Sequence, residues 1–144
     1  MEHPTPNQAE RLDFHRLRQQ LAPLFRRADL RLVILFGSVG TGAPHARSDV
    51  DLAVLGDQPL DLVEMTNAVI QLTHLNDVDL VDLLHAPPLL AMEVARHGRL
   101  LYRREPGDYA QFCSLAYRRY AHTAKLRDAQ KDAILGFLRE RGLA

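Results

Sequence analysis

Apolar residues recur along the chain with two different periods, and these periods predict the order of its elements. A β-branched and apolar run at 30–36, ended by Gly37, predicts a buried strand, and the apolar run at 49–55 predicts a second strand. Residues 60–74 repeat their apolar positions at helical spacing, whereas 77–84 has the composition of a strand. The order strand, loop, strand, helix, strand indicates a mixed α/β domain.

Further elements are predicted on both sides of this central pattern. An amphipathic helix is predicted over 8–22, and Pro23 should end or kink it. Two prolines after the third strand suit the first turn of a helix over 88–97, and a short strand follows at 99–103. The apolar stripe of 107–141 is compatible with one long helix or with two.

The division of the chain into a main domain and a tail depends on the last of these segments. We expect residues 1–104 to form the main domain and residues 105–144 to form a helical tail. The apolar stripe of this tail includes Phe112, Ala116 and Tyr120, and arginines flank it. Two interpretations stay open: the stripe covers the domain's own sheet, or it binds a helical partner protein.

The net charge is zero, but the charges are segregated along the chain. Between Ser48 and Ala95 there are nine Asp or Glu residues and no Lys or Arg. From Arg96 onward there are eleven Lys or Arg residues against five acids. This segregation indicates a cation site in the middle of the chain and a basic tail that meets an acidic partner.

The cysteine and histidine content and the length of the apolar runs exclude several classes of protein. Cys113 is the single cysteine, which excludes an internal disulfide, and the histidines lack the paired spacing of zinc ligands. The longest apolar run, from Leu32 to Phe36, is too short to span a bilayer, and the polar start of the chain has no signal-peptide core. We therefore expect a cytoplasmic protein with no membrane partner.

Asp49 and Asp51 are one residue apart in the apolar run of the second strand. In a strand, residues i and i+2 face the same way, so both carboxylates are expected on one face. Two like charges this close are costly at a partly buried position. A hard divalent cation that prefers oxygen ligands, Mg²⁺ above all, would neutralise them. The pair therefore predicts a metal site.

A second motif precedes the aspartates. Gly37 and Ser38 follow the first strand and open a loop of small residues. Such a turn can present backbone N–H groups and a hydroxyl to phosphate oxygens. A metal site close to a phosphate-binding turn indicates a nucleotide. Arg47, just before the aspartates, is a candidate phosphate ligand, with a plain surface position as the alternative.

The two motifs combine into one spacing: Gly37-Ser38, ten residues, then Asp49-Val50-Asp51. In this spacing the chain resembles the polymerase-β-like nucleotidyltransferases. The resemblance implies the fold of that superfamily, an α/β (α+β) arrangement with a mixed β-sheet flanked by helices, here followed by a C-terminal helical tail.

The same resemblance implies a third carboxylate from a neighbouring strand. Asp79 is the best match, because Val78 to Val81 follows the family's pattern apolar-Asp-apolar-apolar. Asp82 is the alternative, although strand alternation directs it to the opposite face. The resemblance thus implies ATP, two Mg²⁺ ions and the following site: catalytic and metal-binding residues Asp49, Asp51 and Asp79, and nucleotide-binding residues Gly37, Ser38, Arg47, Asp49 and Asp51.

The small size of the chain, its segments VDLVDL and GRLLY and its helical tail resemble the minimal nucleotidyltransferase (MNT) antitoxins of HEPN/MNT toxin–antitoxin systems. This resemblance implies a type VII antitoxin, a protein adenylyltransferase that places AMP from ATP on a tyrosine of its cognate HEPN ribonuclease toxin. It implies a toxin dimer as partner, in a hetero-oligomer. No direct nucleic-acid role is expected, because the basic residues of the tail are spread along a helix among acids.

Two other functions stay open. Many members of the family carry G-S-R-A-R-G, whereas this chain has no arginine between Gly37 and Gly42. Fewer triphosphate contacts fit a binding-only antitoxin with a vestigial site, whereas the intact carboxylates argue for an active enzyme. The other alternative is a nucleotidyltransferase that acts on a small molecule or on RNA, although 144 residues leave little room for the substrate domain that such enzymes append.

Overall fold

The computed structural model describes residues 14–36 and 50–142. Within these ranges it contains four strands and five helices. The strands are β1 (Leu30–Phe36), β2 (Val50–Gly56), β3 (Val78–Asp82) and β4 (Arg99–Arg103). The helices are α1 (14–20), α2 (Leu62–Thr73), α3 (Pro88–His97), α4 (Asp108–His122) and α5 (Ala124–Glu140). None of the helices in these ranges combines the length and apolar composition that crossing a membrane requires.

All four strands belong to one sheet with the order β3-β2-β1-β4. β1 runs antiparallel to both β2 and β4, whereas β2 and β3 are parallel. A parallel pair needs a crossover connection, and α2 provides it. The predicted mixed sheet flanked by helices is therefore confirmed.

Helices cover both faces of this sheet. On one face, Leu52 of β2 belongs to a buried cluster with Met65 of α2. On the other face, Ala53 of β2 shares a buried cluster with residues of α3 and with Phe112 of α4. Consecutive residues of β2 thus point to opposite layers, as strand alternation requires. The layer of α3 and α4 therefore lies on the face to which Asp51 also belongs.

The predicted helix over 8–22 and the predicted strand over 77–84 end earlier than predicted, each at a turn, and the start predicted for that helix lies outside the described residues. The predicted helix over 8–22 ends at residue 20, and Pro23 leads into a single 3-10 turn. The predicted strand 77–84 ends at Asp82, whose carbonyl oxygen accepts a hydrogen bond from the His85 N–H at 3.2 Å. The predictions for 88–97 and 99–103 are confirmed at both ends.

The predicted helical region near the C-terminus consists of the two helices α4 and α5. Phe112 and Ala116 of α4 are buried in the cluster that α3 shares, so this part of the apolar stripe covers the domain's own sheet. α5, in contrast, buries none of its residues against the rest of the described chain. The division of the chain after residue 104 into a main domain and a tail stays a prediction.

The two helices meet at Thr123, and Arg127 holds the junction together. The Arg127 guanidinium donates to the Tyr120 carbonyl oxygen at 2.8 Å and to the Thr123 hydroxyl at 2.6 Å. The same guanidinium lies 3.6 Å from the centroid of the Tyr120 ring. These contacts supply a partner for the Tyr120 carbonyl group in the last turn of α4, where carbonyl groups lack helical partners.

Two arginine–aspartate pairs join neighbouring elements: one fastens the start of α4 to β1, and the other connects the chain after β4 to the chain after β2. Arg31 of β1 donates to Asp108 at 2.8 Å, and the Asp108 side chain is only 7% exposed. The backbone N–H of Glu105 donates to the same carboxylate at 3.0 Å. Arg104, directly after β4, makes a bidentate pair with Asp57 at 2.7 and 2.8 Å. The Arg31 guanidinium holds the pKa of Asp108 below its ordinary value.

Replacing glycine by alanine is expected to change the free energy of unfolding in opposite directions at two positions. A Cβ on Gly98, between α3 and β4, would lie 2.5 Å from both the Val94 carbonyl oxygen and the Ile34 Cγ2 atom. We expect Gly98→Ala to lower the free energy of unfolding by about 1–3 kcal/mol, because the backbone must shift to admit the methyl group. Equilibrium unfolding in urea measures the change.

Gly136→Ala is the matched control. No atom lies within 4 Å of a Cβ at this position in α5, so alanine meets no obstacle there. Alanine has a higher helix propensity than glycine, and the free energy of unfolding should rise by up to about 1 kcal/mol. Equal destabilisation by both substitutions would contradict the close approach at Gly98.

Asp108 makes the stability depend on pH. The hydrogen bond from Arg31 lowers its pKa in the folded protein. Its contribution is therefore complete above the unfolded-state pKa of about 3.9 and is lost as the pH falls through the lower folded-state pKa. We expect the free energy of unfolding of the native chain to exceed that of Asp108→Asn at neutral pH, and the difference to shrink below about pH 4.

Urea unfolding at a series of pH values measures this difference. Asp132→Asn is the control, because it removes the same charge from an exposed position of α5. If both variants differed from the native chain by the same amount at every pH, the Arg31–Asp108 pair would not be the source of the pH dependence.

Candidate active site

The predicted site residues divide between the described and the undescribed parts of the chain. Asp51 lies in β2 and Asp79 lies in β3, so the structure describes both. The remaining predicted site residues lie outside the described residues: Gly37, Ser38, Arg47 and Asp49. Their predicted roles stay predictions.

The register of the sheet brings Asp51 and Asp79 together. The two residues are direct partners in the parallel pair of β2 and β3. Partners in neighbouring strands point to the same face, and the strands are about 4.8 Å apart. On its other side Asp51 is the partner of Phe36, the last residue of β1. One row across three strands therefore holds Phe36 and both carboxylates.

Apolar burial determines this register. The residues that follow the two aspartates are also partners, Leu52 with Leu80 and Ala53 with Val81. Leu52 and Ala53 are fully buried on opposite faces. A slip of one residue would send each apolar side chain of β3 to the wrong layer. The core therefore holds the carboxylates side by side although their charges repel.

The carboxylates lie at the solvent-exposed edge of the apolar cluster beneath α3 and α4. Ala53 and Val81, two residues further along each strand, belong to or pack against that cluster. Asp51 is half-buried and Asp79 is exposed. A group outside the protein can therefore reach Asp79, while Asp51 is partly shielded from water.

Asp82, the alternative third carboxylate, has a different environment. Its carboxylate accepts hydrogen bonds from the backbone N–H of Leu84 at 2.9 Å and of Leu60 at 3.3 Å. The bond from Leu60 ties the end of β3 to the segment that precedes α2, whereas the bond from Leu84 lies within the turn after β3. The partner of Asp82 in the register is Val54, so the structure brings Asp79 rather than Asp82 beside Asp51.

Phe36 is the residue of this row that the sequence analysis did not single out. It is partly exposed and packs against the cluster shared with α3 and α4. The signal that could have found it is its position as the last apolar residue before Gly37. Because the chain leaves β1 at Phe36, the predicted phosphate-binding turn follows directly after the row that carries the carboxylates.

The oxygen atoms that this row of residues offers as ligands suit a hard cation. Two neighbouring carboxylates supply only oxygen ligands, which Mg²⁺ prefers. Within the described residues no group of three or more His, Cys, Asp or Glu side chains could hold a metal ion. A third oxygen ligand must therefore come from elsewhere, and the predicted candidate is Asp49.

Comparison with known sequences identifies relatives of the chain. The profile of the family described as "Polymerase beta, Nucleotidyltransferase" matches residues 19–107. A protein adenylyltransferase named MntA, from Shewanella oneidensis, is 33% identical over 108 residues, which cover 74% of this chain and 77% of that protein.

Solved structures show the same likeness. A toxin–antitoxin crystal structure with AMP-PNP contains a chain that superposes with a TM-score of 0.69 at 29% identity, covering 85% of this chain and 98% of the other. A tri-AMPylated Shewanella oneidensis HEPN toxin in complex with its MNT antitoxin gives a TM-score of 0.66 at 28% identity, covering 88% and 98%. These matches confirm the resemblance predicted from the motifs: the chain belongs to the polymerase beta nucleotidyltransferase family, with the MntA protein adenylyltransferases among its relatives.

Proposed function

We propose that this chain is the antitoxin of a type VII HEPN/MNT toxin–antitoxin system and that it transfers AMP from ATP to a tyrosine of its cognate HEPN toxin, which neutralises the toxin. The relative from Shewanella oneidensis is named a protein adenylyltransferase, and a similar solved complex contains a tri-AMPylated HEPN toxin. The observation that carries the proposal is the register that sets Asp51 beside Asp79. We expect the reaction in the cytoplasm.

ATP is the proposed AMP donor. Family membership makes the chain a nucleotidyltransferase, and a similar solved structure holds the ATP analogue AMP-PNP. In our proposal the backbone of Gly37 and the hydroxyl of Ser38 bind phosphate oxygens, and Arg47 adds a positive charge. Gly37 follows Phe36 directly in the sequence, and Phe36 is the register partner of Asp51. This arrangement supports a phosphate site next to the carboxylates.

Mg²⁺ is the proposed metal, and the family resemblance implies two ions. Asp49, Asp51 and Asp79 would hold them through carboxylate oxygens. Bound there, magnesium would offset the charge of the phosphates and favour the deprotonated form of an incoming hydroxyl. The half-buried position of Asp51 supports the proposal, because a shielded carboxylate binds a cation more strongly than one in open water.

Transfer requires the tyrosine Oη atom to attack the α-phosphorus of ATP. As the new oxygen–phosphorus bond forms, the bond from the α-phosphorus to the oxygen that bridges to the β-phosphate breaks, and pyrophosphate leaves. The tyrosine hydroxyl, with an ordinary pKa of about 10, must lose its proton. Asp79 is the group proposed to orient the hydroxyl or to accept that proton. Its exposure supports this role, because the hydroxyl arrives on another protein.

Substitution of the paired carboxylates tests the function. We expect Asp51→Asn and Asp79→Asn each to slow AMP transfer to the toxin by about 10²–10⁴-fold, since each loses a charge that the reaction uses. Both variants should keep the fold, because neither side chain belongs to the buried core. Intact-mass spectrometry of the toxin after incubation with ATP and Mg²⁺ measures the transfer.

Asp82→Asn is the matched control in the same strand as Asp79. It should retain transfer while losing about 0.5–1.5 kcal/mol of stability, because its backbone hydrogen bonds weaken. Loss of transfer in Asp82→Asn but not in Asp79→Asn would make Asp82 the third carboxylate. Suppression of the toxin by the native chain without any AMP increment would favour the binding-only antitoxin.

A further inference from the structure

The sheet has two edge strands, β3 and β4, and the described residues protect them differently. Arg18 of α1 donates to the Leu101 carbonyl oxygen of β4 at 3.0 Å, and a bulge interrupts the register of β4 with β1 at the same place. Cover by a neighbouring element and a bulge both hinder the addition of another strand. The register of β3 with β2, in contrast, is regular from Val78 to Asp82. Within the described residues β3 is therefore the open edge of the sheet.

One hydrogen bond determines which main-chain groups of β3 face outward. The Leu83 N–H donates to the Val54 carbonyl oxygen of β2 at 2.8 Å. In a parallel pair alternate residues bond to the neighbouring strand, so Asp79 and Val81 also direct their main-chain groups to β2. Leu80, between them, directs its N–H and C=O groups away from β2. A donor and an acceptor for a further strand therefore lie directly beside Asp79.

The charge of β3 indicates what kind of strand its edge accepts. Asp79 and Asp82 belong to β3, and residues 48–95 contain no Lys or Arg. A strand that carries Lys or Arg complements this edge, whereas β3 of a second copy would bring like charges together. β4 of a second copy begins and ends with arginine, but Arg18 already occupies a carbonyl group of that strand. Charge and edge protection together favour a basic strand of another protein over a second copy.

The proposed reaction requires the tyrosine to arrive from the side of β3. Phe36 of β1, Asp51 of β2 and Asp79 of β3 follow one another along the row. In our proposal Gly37, next to Phe36, binds the phosphates that leave as pyrophosphate. In an in-line displacement the entering and leaving oxygens lie on opposite sides of the phosphorus. The tyrosine hydroxyl therefore enters across β3, beyond which the described part of the chain has no further strand.

A strand added to the β3 edge would present such a tyrosine to the carboxylates. Direct neighbours in adjacent strands point to the same face, and the strands are about 4.8 Å apart. The residue of an added strand that lies opposite Asp79 therefore shares the face of Asp51 and Asp79. A tyrosine at that position directs its hydroxyl to the exposed Asp79 carboxylate, while the main chain beside it bonds to Leu80.

We propose that the edge of β3 is the docking site for the toxin segment that carries the substrate tyrosine. The segment adds to the sheet as an extended strand and bonds to the N–H and C=O groups of Leu80. It places Lys or Arg side chains near the acids of β3 and sets its tyrosine beside Asp79. This inference rests on the proposed function, because it takes that tyrosine as the substrate, and it adds the conformation and the charge of the substrate segment.

Amide hydrogen exchange tests the strand pairing at single residues. In the free chain the Leu80 amide should exchange much faster than the Val81 amide, which bonds to β2. Purified toxin, added without ATP, should slow exchange of the Leu80 amide by about tenfold or more. The control is the Val63 amide in the first turn of α2, where N–H groups lack helical partners, and it should exchange rapidly with and without toxin. NMR of the isotope-labelled chain measures all three amides.

Leu80→Pro removes the outward N–H group, and Leu80→Ala is its matched control. Both variants lose the apolar side chain, but alanine keeps the main-chain donor, and proline is tolerated at a strand edge where its nitrogen faces outward. With the toxin as the varied substrate, KM for Leu80→Pro should exceed KM for Leu80→Ala by about 3–10-fold, as the loss of one hydrogen bond predicts. Higher NaCl concentration should raise KM of the native chain, because salt screens the acids of β3.

The outcomes distinguish this inference from the proposed function. A Leu80 amide that still exchanges rapidly in the toxin complex would overturn the strand pairing, even if AMP transfer were normal, and so would equal KM values for the two Leu80 variants. Slow exchange at Leu80 in the complex without any AMP transfer would support the docking edge and overturn the proposed reaction. Protection of Leu80 that rises with the concentration of the chain alone would assign the edge to a second copy and overturn the toxin as occupant. If Leu80→Pro does not fold, the exchange measurement decides by itself.

Discussion

The parallel pairing of β2 with β3 is the constraint on which the site depends. Two carboxylates about 5 Å apart repel each other by about 1–3 kcal/mol at effective dielectric constants between those of water and of a protein surface. Burial of one large apolar side chain contributes about 1.5–3 kcal/mol, and Leu52 and Val54 of β2 are both fully buried. The core therefore outweighs the repulsion and keeps Asp51 beside Asp79 without help from any ligand.

Local pattern was enough to predict the elements that build this pairing. The apolar run of β1, the helical period of α2 and the boundaries of α3 and β4 are visible in the sequence because each depends on neighbouring residues. Strand parity also separated Asp79 from Asp82 before the register was known. The mixed sheet followed from the order of these elements together with the family resemblance.

Other features depend on contacts between distant positions, which local pattern does not contain. The bond from the Leu60 N–H group to Asp82 spans 22 positions and joins the end of β3 to the segment before α2. The pairing of Arg31 with Asp108 spans 77 positions and brings α4 onto the sheet. Sequence alone therefore left open whether the apolar stripe of α4 served the core or a partner.

The junction at Thr123 has a consequence for how such proteins diversify. The contacts that Arg127 makes with Tyr120 and Thr123 are confined to a few consecutive turns of helix, and none of them involves the sheet. Substitutions in α5, beyond this junction, can accumulate without disturbing β2 and β3, the strands that carry the carboxylates. Sequence changes in α5 would thus alter the outer surface of the protein while the register that pairs Asp51 with Asp79 is inherited unchanged.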